Sequence, residues 1–183
     1  MALRGILPAT ILAIALSTLT ACDSAEQRAE KYYQSGVAYL QAGDVDRALV
    51  EFRNVFKLNG RHKEARLAYA KAERDRGNLR EAYSQYLRLI EQYPDNLDGQ
   101  IALAQLAAQG GNWPEAEQHV GAALALAPDD PGAKAVRAVI DYGKASEKSD
   151  TAAMAAAAAE ARKLIDEDGT DILLRRVVID DLL

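Results

Sequence analysis

The sequence predicts an all-α solenoid of stacked helix-turn-helix units, and three observations carry that prediction. First, the pairs Gly43-Asp44, Gly77-Asn78 and Gly111-Asn112 recur 34 residues apart. Second, each glycine is followed at one fixed offset by an alanine (Ala48, Ala82, Ala116). Four residues later comes a large apolar side chain (Phe52, Tyr86, Val120). Third, Pro94 and Pro128 close the second and third units at the same 34-residue interval. A period of this length marks supersecondary units that bury their apolar faces only by stacking on neighbours.

The chain opens on a different kind of segment. Residues 1–21 have the three-part form of an export signal: a positive start at Arg4, a largely apolar run from Ile6 to Leu19, and small residues before Cys22. Leu19-Thr20-Ala21-Cys22 resembles the bacterial lipobox, which implies diacylglyceryl attachment to the Cys22 sulfur and cleavage in front of it. The alternative is an uncleaved anchor over residues 5–22, which carry no charge but are interrupted by Pro8. Asp23 resembles the residue that retains enterobacterial lipoproteins at the inner membrane. The implied location is the bacterial cell envelope, facing the periplasm, with the inner membrane favoured over the outer. Residues 22–28 are expected to be the lipidated cysteine and a short tether, whose six residues from Asp23 to Arg28 reach about 20 Å when extended.

The repeats follow. Helix pairs are expected at about 26–42 with 45–58, 62–76 with 79–92, and 96–109 with 114–126. Gly43, Gly77 and Gly111 end helices where a left-handed conformation costs glycine little. Asp44, Asn78 and Asn112 then stand where short polar side chains accept backbone N–H groups. Ala48, Ala82 and Ala116 have to be small where two helices cross. These offsets resemble the tetratricopeptide repeat. The resemblance implies a right-handed solenoid of about four repeats over residues 29–170, divided near 29–62, 63–96, 97–130 and a degenerate 131–170. Arg66 and Gln100 depart from the family pattern, which favours an aromatic there. After Pro131 the phase slips, and the fourth unit carries about seven extra residues. Its alanine-rich run from Ala152 to Ala161 is expected to be a strong helix former with little bulk. Residues 171–183 predict a terminal apolar helix, which suggests self-association or the start of a further repeat.

Composition narrows the function. Hydrophobic content of 49% with 27% charged residues excludes wholesale disorder, and a net charge of −5 argues against nucleic acid as a partner. A single cysteine excludes an internal disulfide. No catalytic constellation is legible. His62 and His119 are isolated, and no phosphate loop or nucleophile elbow is present. Neither a metal nor a cofactor is expected, and Trp113 is expected to pack locally.

Surface remains. In the resembled family the first helices line a groove, and its offsets fall here on Tyr33, Val37 and Leu40, on Leu67, Lys71 and Arg74, and on Ile101, Gln105 and Ala108. The carboxylate-clamp pattern of that family fails, because Tyr33, Val37, Asp98 and Ala102 hold its positions. The implied groove is apolar with a basic middle, suited to an amphipathic helix or an extended segment with some negative charge. Some of these apolar side chains also serve to pack the stack. The expected function is a lipid-anchored periplasmic scaffold for protein or peptide partners in assembly of an envelope or secretion complex, without catalysis. The alternative is the N-terminal module of a larger envelope enzyme, or of a longer repeat lipoprotein in an exopolysaccharide and protein-sorting system.

Overall fold

Ser24 starts the first helix. Its hydroxyl accepts the Gln27 backbone N–H at 3.1 Å, and the Gln27 side chain accepts the Ser24 N–H at 2.8 Å. This reciprocal cap satisfies two donors that a helix start leaves orphaned. The computed structural model describes residues 23–168 and 172–181. Cys22 and the expected export signal lie outside the described residues. Because the cap sits at Ser24, helix α1 (Ala25–Gln41) begins inside the stretch expected to be a tether, so residues 25–28 are helical rather than extended.

The described residues form eight further helices and no strand: α2 (Val45–Leu58), α3 (Lys63–Asp75), α4 (Leu79–Gln92), α5 (Leu97–Gln109), α6 (Trp113–Leu126), α7 (Pro131–Glu147), α8 (Thr151–Asp168) and α9 (Ile172–Asp180). The fold is an α-solenoid. Its first three turns place Gly43, Gly77 and Gly111 at φ of +77°, +84° and +71°, a region that a side chain would make costly. Asp44 caps α2 by accepting the Arg47 N–H at 3.1 Å, as expected. Asn78 and Asn112 hold the same position without a side-chain cap. Their amides donate instead to the carboxylates of Glu73 at 3.0 Å and Glu115 at 2.5 Å. A charged acceptor makes the stronger hydrogen bond and turns the amide away from the helix.

The phase slip resolves into helix length. Helix α7 has 17 residues where α5 has 13, and α8 has 18 where α6 has 14. Each is longer by about one turn. The turn between them puts Ser149, not a glycine, at φ +53°.

Packing follows the repeat. The buried apolar residues form four clusters, each centred on one second helix (α2, α4, α6 or α8) between two first helices. Ala48, Ala82 and Ala116 are fully buried at the crossings, with Phe52, Tyr86 and Val120 beside them. Chain stability is therefore distributed unit by unit rather than held in one central core. The alanine-rich α8 lays Ala157, Ala158 and Ala161 against Ala135 and Ala138 of α7, small residue on small residue. Among the described residues no helix is long and apolar enough to cross a membrane.

Candidate functional site

The first helices form a row: Lys71 of α3 reaches Asp98 of α5, α5 touches α7, and α7 touches α9. Along this row the side chains stay partly open to solvent, because no second helix covers them. Tyr33, Val37, Leu40, Leu67, Lys71, Arg74, Ile101 and Gln105 are all part-buried, while Ala108 is buried. Tyr33, Val37 and Leu40 pack against the first cluster, Leu67 against the second and Ile101 against the third. Each apolar member therefore both supports the stack and presents surface.

The expected basic middle is not basic in the structure. The Lys71 ammonium donates to Asp98 at 2.6 Å, and the Arg74 guanidinium donates twice to Asp75, at 3.1 and 3.2 Å. Each cation has a carboxylate within contact, so the middle of the row is charge-balanced. The sequence placed the two cations by phase, but phase does not show which acids the neighbouring helix and turn bring beside them.

The two histidines have structural partners. His62 caps α3, its Nδ1 accepting the Ala65 N–H at 3.3 Å, and its ring lies 4.9 Å from that of Tyr33. His119 is buried and its Nδ1 stands 2.9 Å from the Gln100 side-chain oxygen. Burial pushes the His119 imidazole below its usual range, against the weaker upward pull of Glu115. Among the described residues no group of three His, Cys, Asp or Glu side chains gathers closely enough to hold a metal.

Two clefts flank α7. One, of about 410 Å³, lies between α5, α7 and α9, and includes the expected groove residues Gln105 and Ala108. Sequence reasoning missed its other walls. Trp113, expected to pack locally, instead spans to the next unit, because the six-membered part of its ring occupies the space above Gly143 where a side chain would begin. A glycine inside a helical pattern was the available signal for such a close approach. Tyr142 and Val177 continue the wall, and Glu147 and Asp180 add the carboxylates. The Tyr142 phenol is pushed up by burial and then by the charges of Asp181 and Asp180. The other cleft, about 590 Å³ between α6, α7 and α8, opens where the alanines of α8 leave space. Its cations are internally matched: Lys144 pairs with Glu117, and Arg137 stands 4.0 Å from both Glu117 and Asp141.

Comparison with known proteins agrees with this geometry. Two family models described as tetratricopeptide repeat match the chain, over residues 33–96 and 73–140. No curated protein matches the sequence. Among solved structures, residues 41 to the end of MamA from Desulfovibrio magneticus RS-1 align at 16% identity with a TM-score of 0.66, covering 84% of this chain and 86% of that one. The OM64 tetratricopeptide-repeat domain of Arabidopsis aligns at 17% identity and a TM-score of 0.59, covering 64% and 97%. A tetratricopeptide repeat protein from Parabacteroides merdae aligns at 15% identity and 0.63, covering 82% of this chain and 57% of its own. At these identities the likeness is one of fold.

Proposed function

On a chain that carries tetratricopeptide repeats from residue 33 to residue 140, we propose a non-catalytic scaffold that binds protein or peptide partners along its first helices. We further propose that lipid on Cys22 holds it to a bacterial membrane, facing the periplasm, where it serves assembly of an envelope or secretion complex. The observation that carries the binding reading is the contrast between helices. First-helix positions at 34-residue intervals stay part-exposed, whereas their second-helix counterparts Ala48, Ala82 and Ala116 are fully enclosed. A surface presented at regular intervals by rigid helices suits an extended or helical segment laid across it.

The anchoring reading rests on Leu19-Thr20-Ala21-Cys22 and on Asp23, which favours the inner membrane over the outer. Helix α1 begins three residues after Cys22, so a lipid there would set the first repeat at the head groups. Several acyl chains, at about 0.8 kcal/mol per buried methylene, would hold it firmly.

A photo-crosslinking residue at Val37 or Gln105 is expected to capture a partner in living cells, while one at exposed Val50 or Arg88 on the second helices is not. Equal capture from both faces refutes the binding surface. Cys22→Ser is expected to move the protein from the membrane pellet into the soluble or unprocessed fraction; unchanged partitioning refutes the anchor.

A further inference from the structure

We propose that the cleft between α5, α7 and α9 receives a lysine or arginine, flanked by apolar residues, from the partner segment. This rests on the scaffold reading above and names the chemistry of its partner at one end of the row. The cleft, about 410 Å³, lies within the range of volumes of pockets that hold ligands. Its walls combine apolar and aromatic surface from Trp113, Val139, Tyr142 and Val177 with the carboxylates of Glu147 and Asp180, and no lysine or arginine lines it. The cleft on the other side of α7 is lined by Lys134, Arg137, Lys144 and Lys148, so this acidity is local and not a property of the whole helix.

A long basic side chain fits that lining from end to end. Its methylene stem lies against apolar wall while the charged head reaches carboxylates. Low-dielectric walls beside two acids strengthen the attraction above its value in open water. The indole of Trp113 and the ring of Tyr142 add surface that favours a cation over an anion. An acidic side chain would meet two like charges and no counter-ion. The preference is therefore opposite in sign to the one inferred from the sequence for the middle of the groove.

Trp113 is the only tryptophan in the chain, so its fluorescence reports this cleft alone. The experiment selects random dodecapeptides from a displayed library on the full chain, then titrates the enriched peptides while following Trp113 emission. Enriched sequences are expected to pair Lys or Arg with Leu, Ile, Val or Phe, and to shift the emission on binding. Glu147→Lys with Asp180→Lys, both at exposed positions, should keep the helical circular dichroism and weaken those peptides about tenfold. Selection on this charge-reversed variant should enrich acidic sequences instead. Enrichment of acidic or uncharged peptides on the natural chain, no enrichment, or a charge preference unmoved by the reversal overturns the proposal. Crosslinks from Val37 separate the two failures: if they persist, the scaffold reading stands without this cleft, and if they vanish as well, both fall.

Discussion

Arg66 and Gln100 stand one repeat apart and make the same pair of hydrogen bonds with different chemistry. Arg66 donates to the Gly60 carbonyl at 2.5 Å and to the Gln85 side chain at 2.7 Å. Gln100 donates to the Pro94 carbonyl at 3.0 Å and meets His119 at 2.9 Å. All four partners sit 34 residues from their counterparts. The position where the resembled family favours an aromatic thus carries a buried polar rung that ties each unit's entry loop to its second helix. Arg66→Ala strands the Gln85 amide oxygen, and is expected to cost about 1–3 kcal/mol. In a double-mutant cycle with Gln85→Ala, chemical denaturation should show a coupling of at least about 0.5 kcal/mol. Additive losses would mean that the rung contributes nothing as a unit.

The second rung makes stability depend on acid. The folded His119 binds its proton less readily than an unfolded histidine, because burial penalises the charged ring. The unfolded state therefore holds more protons as pH falls below about 6.5, and the stabilisation present above that value is lost on acidification. The thermal midpoint should fall between pH 7.5 and pH 5.5 by more in the natural chain than in His119→Asn. Parallel pH profiles would remove His119 as the cause.

Gly143 is expected to reject the smallest side chain. Alanine normally stabilises a helix interior relative to glycine by up to about 1 kcal/mol. Here its methyl would enter the Trp113 ring, so Gly143→Ala should destabilise by about 1–3 kcal/mol. Adding Trp113→Leu should recover most of the loss. A more stable single variant would show that the ring moves aside without cost. Gly36, whose added methyl would meet Phe52, should behave likewise.

Ala82 has no exposed surface. Ala82→Glu overpacks a helix crossing and buries an unpaired charge, with an expected loss of about 3 kcal/mol or more. An unchanged thermal midpoint would contradict the packing described here.

Lys71 and Asp98 allow a charge-swap test of the groove. Lys71→Glu with Arg74→Glu is expected to abolish partner co-purification with helicity intact. Lys71→Glu with Asp98→Lys restores the ion pair in reverse. Binding that returns on the swap assigns Lys71 a role in holding α3 to α5, whereas binding that stays lost shows that the partner reads the charge at position 71.

Much of the architecture was legible because its signals are local. A glycine at positive φ, an alanine at a crossing and a proline past a helix end each answer a steric need set by residues within the same turn, and repetition at 34 residues fixes their phase. Local signals failed where a distant group competed. Asn78 and Asn112 left their capping role for carboxylates, and Ser149 took a left-handed turn that glycine fills elsewhere.

By itself the sequence determined the helices, their pairing and the face each unit presents, because those depend on residue type and spacing along one or two turns. Only the tertiary structure decided the electrostatics of that face. Asp98 neutralises Lys71 from the next unit, Trp113 crosses to Gly143, and Glu147 comes together with Asp180 across three helices. Charge and close contact act through space over a few ångströms, and the residues that share such a space lie about 30 apart in the chain, beyond the reach of any single repeat.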